Sequence, residues 1–320
     1  MKKPVSLVNN MFRKLLISGL VTIISLTVLS CDQSVTTTTT LTSLTTLSET
    51  TTTTTETSTT TTLTTCSASY SDYDYESLNY ELVFFDEFDK ETGTPNLIKW
   101  KYQTGDGGWG NDELQYYTDS GNATILNGNL VIAAKKESKG DSLYTSARMN
   151  SGRSFLYGKF LVRAMLPQGS GTWPAIWMMP NSSVYGNWPS SGEIDIMEHV
   201  GTDMNRVHFS IHTERYYFKI GTQKTAITTI PNVSTEFHDY QVEWLPDKLI
   251  FSVDGQVYFT YDPTNYVSCP TYKEWPYDKS FYLILNLAIG GWGGTPYAGF
   301  VQEELVIDYV RIYQADNLFS

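Results

Sequence analysis

Cysteine and basic residues are both scarce in this chain of 320 residues. The 3 cysteines are too few for a disulfide framework, so a folded domain must be held together by its hydrophobic core. Lysine and arginine number 22 against 34 acidic residues, which gives a formal net charge of −12, and the basic residues form no cluster. We therefore expect no nucleic-acid partner, because phosphate backbones are bound by clustered basic side chains. A neutral or weakly charged ligand is favoured instead.

The first 31 residues have the features of an export signal. Basic residues precede an apolar run at 15–30, which is slightly short for a membrane-spanning helix, and no second such run follows. The run ends in the letters VLSC, which resemble a bacterial lipobox, so Cys31 is expected to carry a lipid anchor. An uncleaved anchor and an ordinary signal peptide are the alternatives. The protein is thus expected to be exported, as a cell-surface lipoprotein held at the membrane by its lipid anchor or signal segment, or as a secreted protein.

Threonine dominates residues 35–65, a composition that cannot bury enough apolar area to offset the loss of chain entropy. We expect a disordered linker over 32–69 and one folded domain over 70–320, present as a monomer. A disulfide bridge between Cys66 and Cys269 is a further possibility that the sequence leaves open.

The folded part contains many short runs rich in β-branched and aromatic residues, separated by Gly, Pro, Asn and Asp. One of them, SVDGQVYF, places an Asp-Gly pair between strand residues, which predicts a tight hairpin. No long amphipathic segment with helical period and caps is present. Many short strands over about 240 residues without β-α-β alternation predict a single all-β sandwich or barrel.

Three carboxylates lie close together in the run SGEIDIMEHV. On a regular strand Glu193 and Asp195 share a face, whereas Glu198 points the other way. One extra residue around Met197, a β-bulge, would turn Glu198 onto the face of the other two acids. A helix that places Asp195 and His199 as metal ligands is disfavoured by the adjoining glycine and the β-rich surroundings.

Acids gathered on one face repel one another unless one is protonated, so such a cluster points to chemistry rather than to stability. Hydrolysis of a glycosidic bond uses two carboxyl groups, one ionised and one protonated, about 5–5.5 Å apart when the anomeric configuration is retained. The spacing along the strand permits this geometry without establishing it.

The run GEIDIMEH resembles the E-x-D-x-x-E signature of glycoside hydrolase family 16. Further blocks of that family follow in its usual order across residues 80–314: DEFD, WGNDELQYYT, SARMNSGRSFLYGKFLVRAMLPQGSGTWPAIWMMP, VHFSIH, LILNLAIGGWGG and DYVRIYQ. The blocks NDELQYYT and WPAIWMMP are most similar to the laminarinase branch. The resemblance implies a β-jelly-roll sandwich of two curved antiparallel sheets with a concave substrate cleft.

The same resemblance implies a retaining endo-glycosidase that hydrolyses internal β-1,3 bonds of β-glucans. Glu193 would be the nucleophile, Glu198 the general acid/base, and Asp195 the carboxylate between them. A family member acting on mixed-linkage glucan or a galactan is the nearest alternative. A β-glucan-binding module without catalysis is the other, although such modules usually lack the catalytic acids.

Aromatic and polar residues near turns are candidates for sugar binding. Sugar rings stack on indole faces, and Trp173, Trp188 and Trp292 each lie in a Gly/Pro-rich turn. Trp177, between two apolar residues, is instead expected in the core.

Asn111, His212 and Asn286 match polar positions in the family blocks and are expected to bind sugar hydroxyls. His208 and His212 share one strand face, but no cysteine or third histidine accompanies them, so zinc is not expected.

The family needs no cofactor for catalysis. Many of its members carry a structural calcium ion, however, and the positions here that match its ligands are Glu87, the backbone of Gly128, and Asp308. Hard oxygen ligands of this kind suit calcium. Surface acids on edge strands are the alternative role of Glu87 and Asp308.

Overall fold

A computed structural model of the protein describes Thr22–Ser25, Thr38–Leu41 and residues 77–318. The chain divides into two units, Met1–Ser69 and Tyr70–Ser320. In the first unit, strands β1 (Thr22–Ser25) and β2 (Thr38–Leu41) form an antiparallel pair. Among the described residues, no helix is long and apolar enough to cross a membrane.

Several predictions for the N-terminal part fall outside the described residues. These are the lipobox-like end with Cys31 and most of the threonine-rich linker, including Cys66. Cys269 is disulfide-bonded, and neither of the other two cysteines is among the described residues. The bridge between Cys66 and Cys269 therefore stays a prediction.

Two sheets form the second unit, and the smaller one has seven strands. Its order from edge to edge is β15 (Lys224–Thr229), β14 (Arg206–His212), β13 (Glu193–His199), β12 (Thr172–Pro180), β19 (Phe281–Ile289), β10 (Arg148–Ser151) and β5 (Trp100–Tyr102). Neighbouring strands in this sheet are antiparallel. Chain neighbours are often separated by other strands, as in a jelly roll.

The larger sheet has eleven strands. Its main path is β18 (Gln256–Tyr261), β17 (Leu249–Val253), β16 (His238–Trp244), β11 (Gly158–Met165), β20 (Gln302–Gln314), β8 (Asn129–Lys135), β7 (Ala123–Leu126) and β4 (Thr92–Gly93), with β3 (Glu81–Asp86) on β20, β9 (Tyr144–Ser146) on β8, and β6 (Gln115–Tyr117) on β9. All pairs are antiparallel except β6 with β9.

Alternation along the strands places the core between the two sheets. In β11, for example, Phe160 and Val162 are fully buried, whereas Leu161 between them is half-buried. Trp244 of β16 contacts Phe281 of β19 with ring centroids 5.3 Å apart, so side chains from the two sheets interdigitate. The predicted all-β jelly-roll sandwich is confirmed.

Turns follow the chemistry of their residues. The predicted Asp-Gly hairpin joins β17 to β18, and Asp254 and Gly255 both have positive φ, at 50° and 78°. The helical segments of residues 78–318 are short 3-10 turns: Gly108–Gly110, Phe218–Ile220, Pro263–Asn265, Gly291–Gly293 and Asp316–Leu318.

Candidate active site

Strand β13 contains the predicted bulge. Against β14, Asp195 is opposite Ser210 and Glu198 is opposite His208, so three steps on β13 match two on β14. The register against β12 shifts at the same place. One extra residue thus lies between Asp195 and Glu198, as the spacing of the acids predicted around Met197.

The bulge separates apolar from acidic side chains. Ile194, Ile196 and Met197 are fully buried in the core between the sheets. Glu193 and Glu198 line a cleft on the opposite face. Two consecutive residues, Ile196 and Met197, therefore both enter the core, which restores the parity that brings Glu198 to the cleft.

Each glutamate accepts a hydrogen bond from an indole. Trp188 donates its Nε1–H to Oε2 of Glu193 at 2.6 Å, and Trp173 donates its Nε1–H to Oε1 of Glu198 at 3.1 Å. One oxygen of each carboxyl group is thereby fixed, and the other, Oε1 of Glu193 and Oε2 of Glu198, remains for a reacting sugar.

Burial raises the pKa of all three acids. Removal from water is the main cause, and it raises the pKa of Glu193 to about 8, with the charge of Asp195 adding to the effect. Burial likewise raises the pKa of Glu198 to about 7, against the opposing charge of His212. The pKa of Asp195 is raised well above its ordinary value by burial and by the charge of Glu198. Near neutral pH the cluster therefore holds protons, as acid chemistry on a glycosidic bond requires.

His212 lies among these acids. Its Nε2 is 3.4 Å from Oδ2 of Asp195 and 4.0 Å from Oε1 of Glu193, its cross-strand partner. The buried Tyr277 donates its hydroxyl to the carbonyl oxygens of Glu193 and His212, which ties β13 to β14 at this row. His212 lines the cleft and contacts the acids directly, and its role in binding sugar hydroxyls stays a prediction.

Glu193, Asp195 and His212 also meet the distance requirement for a metal site, since one ligand atom from each lies within 4.8 Å of the others. Raised carboxyl pKa values oppose such a role, because a cation would have to displace the protons that the buried acids hold. The donor set fits proton chemistry better than metal binding.

An open cleft of about 840 Å³ extends over the acids. Four predicted sugar-binding residues line it: Asn111, Trp173, His212 and Trp292. Other lining residues come from the turns on either side, namely Gly110, Asp112, Leu114, Phe218, Lys219, Gln223, Gly290, Gly291, Gly294, Thr295 and Pro296. A cleft of this size, lined by turns and open to solvent, suits a segment of a polymer.

Trp173 and Trp292 form an aromatic wall beside Glu198. Their rings meet edge to face with centroids 5.7 Å apart, and Trp292 also meets the ring of His208 at 4.8 Å. Trp292 is 45% exposed, so its indole presents apolar surface to the cleft. Glycine is required at 291, where a Cβ would lie 2.4 Å from the carbonyl oxygen of Asn111.

Trp188 does not line the cleft. Its indole N–H bonds to Glu193, and its ring is surrounded by Tyr217, Phe218 and the ammonium group of Lys219. The structure thus assigns Trp188 a direct contact with an acid, and its role as a sugar platform stays a prediction.

Asn286 lies beneath the cleft and is 5% exposed. Its Oδ1 accepts a hydrogen bond from Nε1 of Trp177 at 2.6 Å, and its amide donates to the hydroxyl of Tyr117 at 3.1 Å. The prediction of Trp177 in the core is wrong. Trp177 is opposite Asp195 of β13, and it lies an even number of residues from Trp173 along the regular strand β12, so both indoles are on the cleft face of the sheet.

Glu113 anchors a buried network that the sequence analysis missed. Its Oε2 accepts hydrogen bonds from Gln115 at 2.7 Å and Tyr117 at 2.9 Å, and its Oε1 from Asn111 at 3.4 Å. The signal was available in NDELQYYT, where Glu113, Gln115 and Tyr117 alternate by two and so share a strand face. This network holds Asn111 at the cleft wall.

Both predicted carboxylate ligands for calcium are engaged by arginines. Arg311 binds Glu87 through two hydrogen bonds of 2.8 and 2.7 Å, which hold the pKa of Glu87 below its usual value. Arg163 pairs with Asp308 at 3.2 Å. Gly128 lies in the turn between β7 and β8 with φ of 77°. As arranged, both carboxylates are paired with guanidinium groups, so a calcium ion would have to displace these arginines.

Comparison with known proteins identifies related sequences and structures. The family model of glycosyl hydrolases family 16 matches residues 110–311. A β-glucanase of Rhodothermus marinus is 44% identical over 257 residues, which cover 76% of this chain and 88% of that protein. A glucan endo-1,3-β-glucosidase of Cryptopygus antarcticus is 39% identical over 70% of this chain and 90% of its own length. The X-ray structure of the R. marinus laminarinase matches with a TM-score of 0.72 and 43% identity, over 75% of this chain and 99% of that one.

Proposed function

Because this chain belongs to glycosyl hydrolase family 16, we propose that it is a retaining endo-β-1,3-glucanase acting on laminarin-like β-glucans. The observation that carries the proposal is the bulged strand β13, which presents Glu193 and Glu198 at the floor of an open, aromatic-walled cleft, with the buried Asp195 between them in the chain. The named activities of the relatives agree with this substrate class.

Glu193 acts as the nucleophile in the proposed reaction. Its Oε1, which is not bonded to Trp188, attacks the anomeric carbon while the bond from that carbon to the leaving oxygen breaks. Glu198 transfers its proton to the leaving oxygen. Water then attacks the glycosyl ester, Glu198 takes a proton from that water, and the carboxylate of Glu193 is released.

Asp195 distributes the proton between the acids. Burial raises the pKa of both Asp195 and Glu193, and the charge of Asp195 raises that of Glu193 further, so the two carboxyl groups compete for protons. When the proton resides on Asp195, Glu193 is free as a carboxylate, and the N–H of Trp188 stabilises its charge. Burial raises the pKa of both glutamates, so the assignment of nucleophile and acid rests on the family pattern and not on their pKa values.

Two variants and one product analysis test these roles. Glu193→Gln and Glu198→Gln should each lower the rate of reducing-sugar release from laminarin by about 10²-fold or more. NMR of the early products should show the β-anomer first, as a retaining reaction requires. Circular dichroism would verify that both variants fold. Undiminished activity of Glu193→Gln would refute the assignment, and an initial α-anomer would refute retention.

A panel of purified glycans tests the substrate. We expect faster hydrolysis of laminarin than of mixed-linkage glucan or agar, with internal cleavage seen as early oligosaccharides of several lengths. Tight binding of laminarin without any product would instead identify a glucan-binding module. Both glutamates are present in the cleft, which favours catalysis.

Calcium enters the proposal only as a stabilising ligand at Glu87, Gly128 and Asp308. Binding would require the two carboxylates to exchange Arg311 and Arg163 for the ion. A melting temperature that rises with calcium and falls with a chelator would support such a site. Equal melting temperatures in both conditions would refute it.

We further propose that the enzyme works outside the cytoplasm as a monomer, tethered by a lipid on Cys31 or secreted. The basic start, the apolar run at 15–30 and the threonine-rich segment support this location, because they resemble an export signal followed by a tether. Palmitate labelling of the wild type but not of Cys31→Ser would support the anchor, and light scattering would measure the mass. Label in both proteins would refute a lipid on Cys31.

A further inference from the structure

The side chain of Lys219 lines the part of the cleft near Glu193. Lys219 lies in the 3-10 turn Phe218–Ile220, within the connection from β14 to β15. Its Nζ is 5.2 Å from the centroid of the Trp188 ring and 5.7 Å from that of Phe218. The two rings hold the ammonium group by cation–π attraction and leave N–H donors for the cleft.

Lys219 has no acidic partner among the described residues. Two other cations of this region are neutralised: Arg215 pairs with Glu274 at 2.7 Å, and Lys273 pairs with Glu214 at 2.9 Å. Among the described residues that line the cleft, Lys219 is the one lysine or arginine. An unpaired cation at this position is notable in a chain with a formal net charge of −12.

The position of Lys219 fixes which part of a substrate it meets. Trp188 donates its N–H to Glu193, and the ammonium group of Lys219 lies over the ring of the same indole. A single side chain therefore separates the ammonium group from the nucleophile. A sugar bound beside Glu193 would therefore present its substituents to Lys219. Protons held by the buried acids reduce the negative charge at the centre, which lowers repulsion of an anionic chain.

We propose that Lys219 forms a subsite for an anionic substituent, a carboxylate or a sulfate ester, on the sugar bound at the Glu193 side of the cleaved bond. This inference rests on the proposed glucanase function. An ammonium group donates strong, charge-assisted hydrogen bonds to such oxygens.

The test compares one laminarin preparation in three forms: unmodified, lightly sulfated and lightly carboxymethylated. For each anionic form, kcat/KM is divided by the value for unmodified laminarin. Lys219→Met retains the aliphatic stem over the rings and removes the charge. We expect this ratio to be about three- to tenfold lower in Lys219→Met than in the wild type for at least one anionic form. The difference between the two proteins should shrink in about 0.5 M salt, because salt screens the charge of Lys219.

Lys224→Met is the matched control. Lys224 belongs to the same part of the chain and lies 4.4 and 4.2 Å from the rings of Tyr216 and Tyr266, but it does not line the cleft. Its variant should keep the wild-type ratio. A fall with one anionic form identifies the anion that the subsite takes.

Equal ratios in the wild type and Lys219→Met would overturn the subsite, as would an equal fall in both variants. Failure of the wild type to cleave unmodified laminarin would instead reject the proposed function. In that event, the dissociation constants of the same three glycans are measured for Lys219→Met and the wild type. The affinity for each anionic form, divided by the affinity for unmodified laminarin, then replaces the kinetic ratio.

Discussion

Trp188 donates its indole N–H to Oε2 of Glu193 at 2.6 Å, across only five positions of the chain. Gly192, between them, has φ of 91°, and a Cβ there would lie 2.9 Å from Pro276 and Tyr277. The tight turn before β13 thus brings an indole onto the acid that follows it. The bond favours the charged form of Glu193 in a site where burial disfavours it.

Trp188→Phe is expected to raise the pKa of Glu193 further, because it removes a donor to the carboxylate. The acid limb of the kcat/KM profile should move to higher pH by about one unit. Trp292→Phe is the control, since Trp292 forms no hydrogen bond to the acids, and its profile should keep the wild-type limb. An unchanged limb in Trp188→Phe would contradict the role of the indole.

Glu193→Gln should stabilise the domain increasingly as pH rises. The folded state keeps the Glu193 proton up to a pKa of about 8, whereas the unfolded chain releases it near 4.5, so ionisation costs stability as pH rises between these values. The difference in melting temperature, variant minus wild type, should grow by several degrees from pH 5 to pH 8. This corresponds to a change in the free energy of unfolding on the order of a few kcal/mol. Glu81→Gln, at an exposed position of β3, should show no such growth. A constant difference would contradict the raised pKa.

His199 should make the domain sensitive to acid. It is fully buried, with neither ring nitrogen hydrogen-bonded to a described group, and burial followed by the charge of His208 lowers its pKa to about 4. The unfolded chain binds this proton near 6.5, so stability is lost as pH falls from about 6.5 to 4. His199→Met should flatten the melting temperature over that range relative to wild type. The same acid slope in both proteins would contradict this assignment.

Met197→Ala should destabilise the domain by about 2–5 kcal/mol, because it removes a fully buried side chain at the bulge. Thermal unfolding should show a fall of about 5–15 °C. Leu126→Ala, at a position 47% exposed, is the control and should change stability by less than about 0.5 kcal/mol. Equal melting temperatures in the two variants would argue against burial of Met197.

Much of the architecture followed from local pattern. Period-two alternation and turn residues predicted strands and the Asp-Gly hairpin, because side chains of a strand alternate between core and surface whatever the partner strand is. The parity of Glu198 predicted the bulge for the same reason. The apolar neighbours of Trp177 suggested the core, whereas alternation along β12 places this indole on the face of Trp173, which lines the cleft, and there it donates a hydrogen bond to Asn286.

The sequence by itself determined that the three acids can lie on one face only if β13 contains a bulge. It also placed this strand in an all-β domain. Only the tertiary structure decided which groups meet those acids. The indoles of Trp188, in the turn before β13, and Trp173, on β12, bond to the two glutamates, and the imidazole of His212 and the ammonium group of Lys219 line the cleft. These contacts depend on strand order. Local alternation depends on the backbone of one strand, whereas strand order depends on burial summed over the whole sandwich, so no short motif specifies it.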